Sequence, residues 1–192
     1  VVTSCEVNPS SREYRRWVSA AMDASLRKLI STYANNLNKR LNKEGFIGKV
    51  GMLNSAGGVM STAEIVERPL YSVDSGPSMA PVSGRKYAIS DLNEKNAVVL
   101  DMGGTTFDVS CVINGNISVS KEAIIGDEIP GISRVNVHSI GAGGGSIAWV
   151  DNGGMVRVGP RSAGSVPGPA CYNRGGTLPT VTDANCVLGY LN

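Results

Sequence analysis

Histidine is almost missing from this 192-residue sequence: His138 is the only one. A multi-histidine metal site is therefore excluded within the chain. Cysteine is sparse and scattered, at Cys5, Cys111, Cys171 and Cys186 with no CxxC pair, which disfavours a zinc knuckle or a disulfide scaffold and fits reduced thiols in a cytoplasmic protein. No apolar run approaches membrane-spanning length. The net charge of +2 is too small to point to nucleic acid as the main partner. No GxxxxGK[ST] run occurs, which excludes a P-loop. Gly141–Ser146 ends on serine where GxGxxG needs glycine, which disfavours a Rossmann dinucleotide site.

Glycine is abundant and unevenly spread. Of 24 glycines, 16 fall between Gly103 and Gly176, which separates a plain first half from a second half full of turns and close backbone approaches. Residues 1–86 read as a helical and strand segment, and 87–192 as a phosphate-binding segment rich in hairpins.

Helical spacing of Tyr14, Trp17, Met22, Leu26, Leu29, Tyr33 and Leu37 predicts one amphipathic helix over about Arg12–Leu41, with Ser10 and Glu13 as a capping box. Nine Lys/Arg against three Asp/Glu between Arg12 and Lys49 read as a solvated basic face. A short strand over Lys49–Leu53 and a helix capped by Ser61 and Glu64 follow. Asn114-Gly115 and Asp151–Gly154 mark two hairpins. Thr182 is the expected N-cap of a last helix, with Asp183 supporting its start.

The most informative stretch is Asp101-Met102-Gly103-Gly104-Thr105-Thr106-Phe107-Asp108-Val109. An apolar run, Ala97–Leu100, is expected to form a buried strand ending on Asp101. Two glycines turn the chain, two hydroxyls follow, and a second strand departs. Glycines let backbone N–H groups approach phosphate oxygens, threonines add donors, and a carboxylate can hold Mg2+ through water. Gly103, Gly104, Thr105 and Thr106 are the phosphate-holding candidates, with Asp101 and Asp108 positioning magnesium or water. Gly143, Gly144 and Gly145 are expected to line the same cleft. His138 reads as a hydrogen-bonded structural histidine, with the alternatives of a metal ligand beside Asp101 or joining Asp127 or Glu128, or of an acid/base. Cys171, with His138 as its only possible imidazole base, is a weaker nucleophile candidate.

Asp101–Val109 resembles the second phosphate loop of the superfamily that includes actin, the seventy-kilodalton heat-shock chaperones and sugar kinases. Further stretches resemble the ATP-dependent hydantoinase/5-oxoprolinase family, of the hydantoinase A type: Asn54–Gly58, Ser75-Gly76-Pro77, Ile140–Ala148, Ser162-Ala163-Gly164, Pro167–Tyr172 and Pro179–Ala184. The resemblance implies an actin-like (ribonuclease H-like) α/β ATPase fold, incomplete and mostly second lobe. It also implies ATP and Mg2+ as cofactors, and phosphorylation of a carbonyl oxygen on a small-molecule substrate, a cyclic amide or a ketone. A hydantoinase B-like second subunit is the implied partner. Complete members begin with another Asp-Gly-Gly-Thr loop on a first lobe, so the expectation is a fragment lacking that lobe. Asn136 stands where the resemblance leads one to expect aspartate. A non-enzymatic nucleotide-binding module of the chaperone kind is the alternative, and a sugar or acetate kinase is disfavoured by Pro167–Tyr172.

Overall fold

The computed structural model describes residues 1–191. In chain order the elements are helices α1 (Ser4–Val7) and α2 (Glu13–Lys43), strands β1 (Gly51–Leu53) and β2 (Val59–Ser61), and helices α3 (Thr62–Glu67) and α4 (Ser75–Leu92). Strands β3 (Ala97–Met102), β4 (Phe107–Ile113), β5 (Asn116–Ile117), β6 (Val119–Ser120), β7 (Arg134–Val135) and β8 (His138–Ile140) follow. The chain continues through β9 (Ser146–Val150), β10 (Val156–Ser162) and α5 (Val181–Val187). The fold is mixed α/β. It divides into two units, residues 1–97 with 111–136, and 98–110 with those from 137 onward. A boundary at 86/87 would cut α4, which runs uninterrupted across it.

In the first unit, α2 spans 31 residues, roughly 46 Å at 1.5 Å per residue. Its start differs from the expected capping box. Arg12 is the N-cap without a side-chain hydrogen bond, and Arg16 reaches back to the Ser10 carbonyl oxygen at 2.9 Å. The covered face is also not the aromatic one. Ser19, Asp23 and Ala34 are buried, while Tyr14, Trp17, Leu29 and Tyr33 are exposed. The small and polar residues face inward because they hydrogen-bond to neighbouring segments. The Asn8 amide donates to Ser19 Oγ (3.2 Å) and to the Pro130 carbonyl (2.8 Å). Asp23 accepts from Leu70 N (3.2 Å) and Arg27 Nε (3.1 Å), so its buried charge is compensated. The apolar core beside them is Val7, Leu70 and Ile132, with Met22, Leu26 and Tyr71 packed against it.

Strands β1 and β2 form an antiparallel pair, and α3 starts on the expected capping box, with Glu64 N donating to Ser61 Oγ and Ser61 N to Glu64 Oε2. Asp74, in the left-handed region at φ 53°, precedes α4 and pairs with Arg134. Beyond β4, Asn114 (φ 52°) and Gly115 (φ 75°) make the tight turn into β5, as the Asn-Gly signal predicts.

The second unit holds the hairpin β3–β4, with β8 antiparallel to β4 in the register Phe107↔Ile140, Asp108↔Ser139, Val109↔His138. The hairpin β9–β10 turns at the expected Asp151–Gly154 segment, where Asp151 Oδ1 accepts from Gly153 N and Met155 N, both at 3.0 Å. Strand β3 departs from the expectation of a buried strand. It lies at the sheet edge, and Val98, Leu100 and Met102 are exposed because no described residue packs over them. The N-cap of helix α5 lies two residues before the expected Thr182. Thr180 is the N-cap, and Asp183, at the third helical position, closes a full capping box. Thr182 is thereby freed for another contact.

Candidate functional site

The turn between β3 and β4 is closed by Gly103 N donating to Thr106 O at 2.9 Å. Among the described residues, no backbone carbonyl accepts from the N–H groups of Gly104 and Thr105 at the tip. Both residues line a cleft of ≈ 660 Å³. Two unspent backbone donors on a glycine turn leave an edge able to accept an anion.

Behind the turn lies the glycine run. Gly143 N donates to Thr105 O (3.1 Å), Gly144 N to Gly103 O (2.9 Å) and Gly145 N to Gly104 O (2.6 Å). These three N–H groups are therefore spent on the carbonyls of the turn, although Gly144 and Gly145 still line the cleft. The close approach explains the glycines. A Cβ on Gly143 would stand 2.6 Å from the Thr105 carbonyl carbon and 2.7 Å from Thr105 N and Thr106 N. A Cβ on Gly145 would meet Gly104 O at 2.8 Å.

The next layer is α5. Thr182 N and Thr182 Oγ1 both donate to the Gly144 carbonyl, each at 2.8 Å. Asp183 holds the start of this helix and also accepts from Cys171 N at 2.7 Å through Oδ1. Burial works against the Asp183 charge, but hydrogen bonds from Cys171 and Thr180 outweigh it and hold the carboxyl well below the ordinary carboxylate range. The far wall of the cleft carries Gly164, Ser165, Pro169, Tyr172 and Asn185. Their stretches stood out in the sequence, yet nothing in composition or spacing marked Thr182, Asn185 or Tyr172 as facing the same space as Gly104.

The remaining candidates lie elsewhere. Thr106 does not line the cleft; its hydroxyl donates to Asp108 Oδ2 at 3.4 Å. Asp108 is 7% exposed, and its Oδ1 is buried without a hydrogen-bond partner among the described residues. Asp101 is exposed near the end of β3, outside the cleft lining. His138 is exposed on β8 opposite Val109 and does not line the cleft. Glu128 accepts from the Tyr14 hydroxyl at 2.7 Å. Among the described residues, no three His, Cys, Asp or Glu side chains gather to hold a metal ion. Cys171 is engaged by Asp183, whose hydrogen bond is the main cause pushing the thiol up to about 11, with burial adding to it. Such a thiol is a poor nucleophile at neutral pH. No helix is long and apolar enough to cross a membrane among the described residues.

The chain is 39% identical over 194 residues to the acetophenone carboxylase gamma subunit of Aromatoleum aromaticum, covering all of this chain and 26% of that protein. It is 34% identical over 191 residues to the 5-oxoprolinase of Saccharomyces cerevisiae, again along its whole length but across 14% of the relative. The crystal structure of the ATP-dependent caprolactamase from Pseudomonas jessenii matches it with a TM-score of 0.77 at 37% identity, covering 100% of this chain and 28% of the other. The chain thus spans less than a third of the length of each relative. The family model for hydantoinase/oxoprolinase matches residues 16–192, and with nearly the whole chain covered, the protein belongs to the hydantoinase/oxoprolinase family.

Proposed function

We propose that this chain supplies a phosphate-binding wall of an ATP-dependent enzyme that activates a carbonyl oxygen, on a cyclic amide or a ketone, for hydrolysis or carboxylation. The observation that carries the reading is the pair of unspent N–H groups on Gly104 and Thr105, two residues that line a cleft of ≈ 660 Å³. That space is ample for a nucleotide's phosphates, and at Gly103 and Gly104 the turn presents backbone without side chains. The relatives support the chemistry: an ATP-dependent caprolactamase, a carboxylase subunit and an oxoprolinase.

In this reading Gly104 and Thr105 orient phosphate oxygens through their N–H groups, at fixed positions that need no reorganisation as charge develops. Gly143, Gly144 and Gly145 hold that turn in place from behind. Asp108 has one buried, unpartnered carboxylate oxygen, which suits a magnesium-bound water, while Asp101 at the end of β3 offers a second, solvated carboxylate. ATP, when bound with Mg2+, supplies the phosphoryl group. We assign the arrangement to the actin-like ATPase class, where the remaining phosphate contacts come from a second lobe. The chain's own turnover of ATP is accordingly negligible, and a hydantoinase B-like subunit is the partner that completes the reaction.

Calorimetric titration with MgATP, MgADP, AMP and adenosine tests the site. Affinity should fall as phosphates are removed. Adenosine binding as tightly as MgATP would remove the phosphate reading altogether.

A further inference from the structure

The cleft extends past the glycine turn to a wall that the phosphate contacts leave without a role. Its volume of ≈ 660 Å³ is that of a site for a whole small molecule and not for an anion alone. Tyr172 and Leu191 bring apolar surface to this wall, and Asn185 brings a carboxamide. Asn185 follows Thr182 by three residues on α5, so the two share a helical face, about 4.5 Å apart along the axis. Thr182 Oγ1 is tied to the Gly144 carbonyl at 2.8 Å, which turns that face toward the glycine layers. The fold does not account for Asn185. Asparagine is a weaker helix former than alanine and is at home where its side chain caps a helix or bonds to nearby backbone. Thr180 and Asp183 cap α5, and the half-buried Asn185 carboxamide has no hydrogen bond among the described residues. No described residue of the lining carries a charged side chain. Arg174, 6.0 Å from the centroid of the Tyr172 ring, is exposed and outside the lining.

We propose that this wall is the subsite for an uncharged cyclic amide and that Asn185 sets its specificity, an assignment that rests on the phosphate reading of the neighbouring turn. A carboxamide presents a carbonyl acceptor and an N–H donor side by side in one plane. A ring holds the N–H and C=O of its own amide on the same side, so the two amides match with a pair of hydrogen bonds. The remainder of the ring lies against Tyr172 and Leu191. A ketone of the same shape lacks the N–H and leaves the Asn185 carbonyl unpaired, which a site built on hydrogen bonds penalises. A carboxylate on the ring would lose water without a cation in the lining to compensate it.

The test titrates the isotope-labelled, nucleotide-free 192-residue chain with pyrrolidinone, oxoproline, cyclopentanone and adenosine, following side-chain amide resonances by NMR. The Asn185 signal is assigned as the one missing from Asn185→Ala. Pyrrolidinone should shift that signal, and oxoproline, the same ring with a carboxylate, and cyclopentanone, the same ring without N–H, should each bind about fivefold or more weakly. Asn185→Ala and Asn185→Asp, the second keeping the shape but not the N–H donors, should weaken pyrrolidinone by a similar factor. Both variants should melt within a few degrees of the unaltered chain, since the fold gives the carboxamide no bond to lose. An unmoved Asn185 signal, unchanged affinity in both variants, or cyclopentanone or oxoproline binding as well as pyrrolidinone would overturn the proposal. Adenosine displacing pyrrolidinone would assign the wall to a nucleotide's base and overturn it too, as would an Asn185→Ala chain that fails to fold. Failure of the phosphate reading shows separately, in the nucleotide series titrated into the unaltered chain.

Discussion

Replacing Gly143 with alanine puts a methyl group against the backbone of the proposed phosphate turn, and the cost can be worked from the distances. The new Cβ would stand 2.6 Å from the Thr105 carbonyl carbon, with Thr105 N and Thr106 N at 2.7 Å. All three are backbone atoms, so no side chain can swing aside. Reaching an ordinary contact of about 3.4 Å requires the two segments to part by about 0.8 Å. The Gly143 N to Thr105 O hydrogen bond, already 3.1 Å long, would then exceed hydrogen-bonding range. Overpacking of this kind costs about 1–3 kcal/mol, and a lost hydrogen bond about 1 kcal/mol more. Gly143→Ala should therefore destabilise the second unit by about 2–4 kcal/mol, lowering its melting temperature by on the order of 10–30 °C. The displaced Gly104 and Thr105 N–H groups should cost MgATP affinity on the order of tenfold or more, since a hydrogen bond to a charged group contributes about 1.5–3 kcal/mol. Gly141→Ala is the control. Nothing lies within 4 Å of its added Cβ, so both readouts should stay near those of the unaltered chain. Scanning calorimetry and MgATP titration measure the two effects. If Gly143→Ala and Gly141→Ala behave alike, the bracing of the turn by the glycine run is refuted.

Thr180→Ala removes the N-cap of α5 and one of the groups holding Asp183, and should cost about 1 kcal/mol, read as a lower denaturation midpoint. The Asp183 carboxyl is held below its unfolded value, so its contribution is fully present above the ordinary carboxylate range and is lost as pH falls through and below it. Asp183→Asn should flatten that acid limb of the stability profile. Asp108→Asn removes a buried carboxylate with an unpartnered oxygen, so the chain should keep or gain stability while magnesium stops strengthening ATP binding. A full magnesium effect in that variant would exclude Asp108 from the metal's surroundings. The chain alone should show no ATP turnover above its Gly143→Ala variant in a phosphate-release assay.

Much of this organisation could be read along the chain, because local chemistry set it. The Asn114-Gly115 turn, the Asp151–Gly154 hairpin and the Ser61–Glu64 box each depend on residues within a few positions of one another. The errors arose where distant segments decide. Periodicity could show that α2 is helical, but not that Ser19 and Asp23 would face inward to meet Pro130 and Leu70 while Trp17 stayed outside. Thr182 looked like a cap because it precedes an apolar run. Its actual partner is Gly144, 38 residues away, and Thr180 holds the cap. The glycine run signalled close approach correctly, but sequence could not say that the approaching group is a carbonyl of the same chain.

From the turn to α5, the proposed site is a stack of peptide groups joined carbonyl to amide: Gly103–Thr105 on Gly143–Gly145, and Gly144 on Thr182. Side chains contribute little to the spacing between these layers, so their separation is set by hydrogen-bond length alone. The stack has little give at Gly143 and Gly145, where an added Cβ would meet the backbone of the turn at 2.6 and 2.8 Å, whereas nothing lies within 4 Å of one added at Gly104. Substitution should thus be poorly tolerated on the bracing layer and well tolerated at the tip of the turn. The same stiffness links the chemistry of a helix start to the tip of the turn. Whatever shifts the first turn of α5, such as a lost cap, is transmitted toward Gly104 as a displacement and not dissipated in flexible side chains.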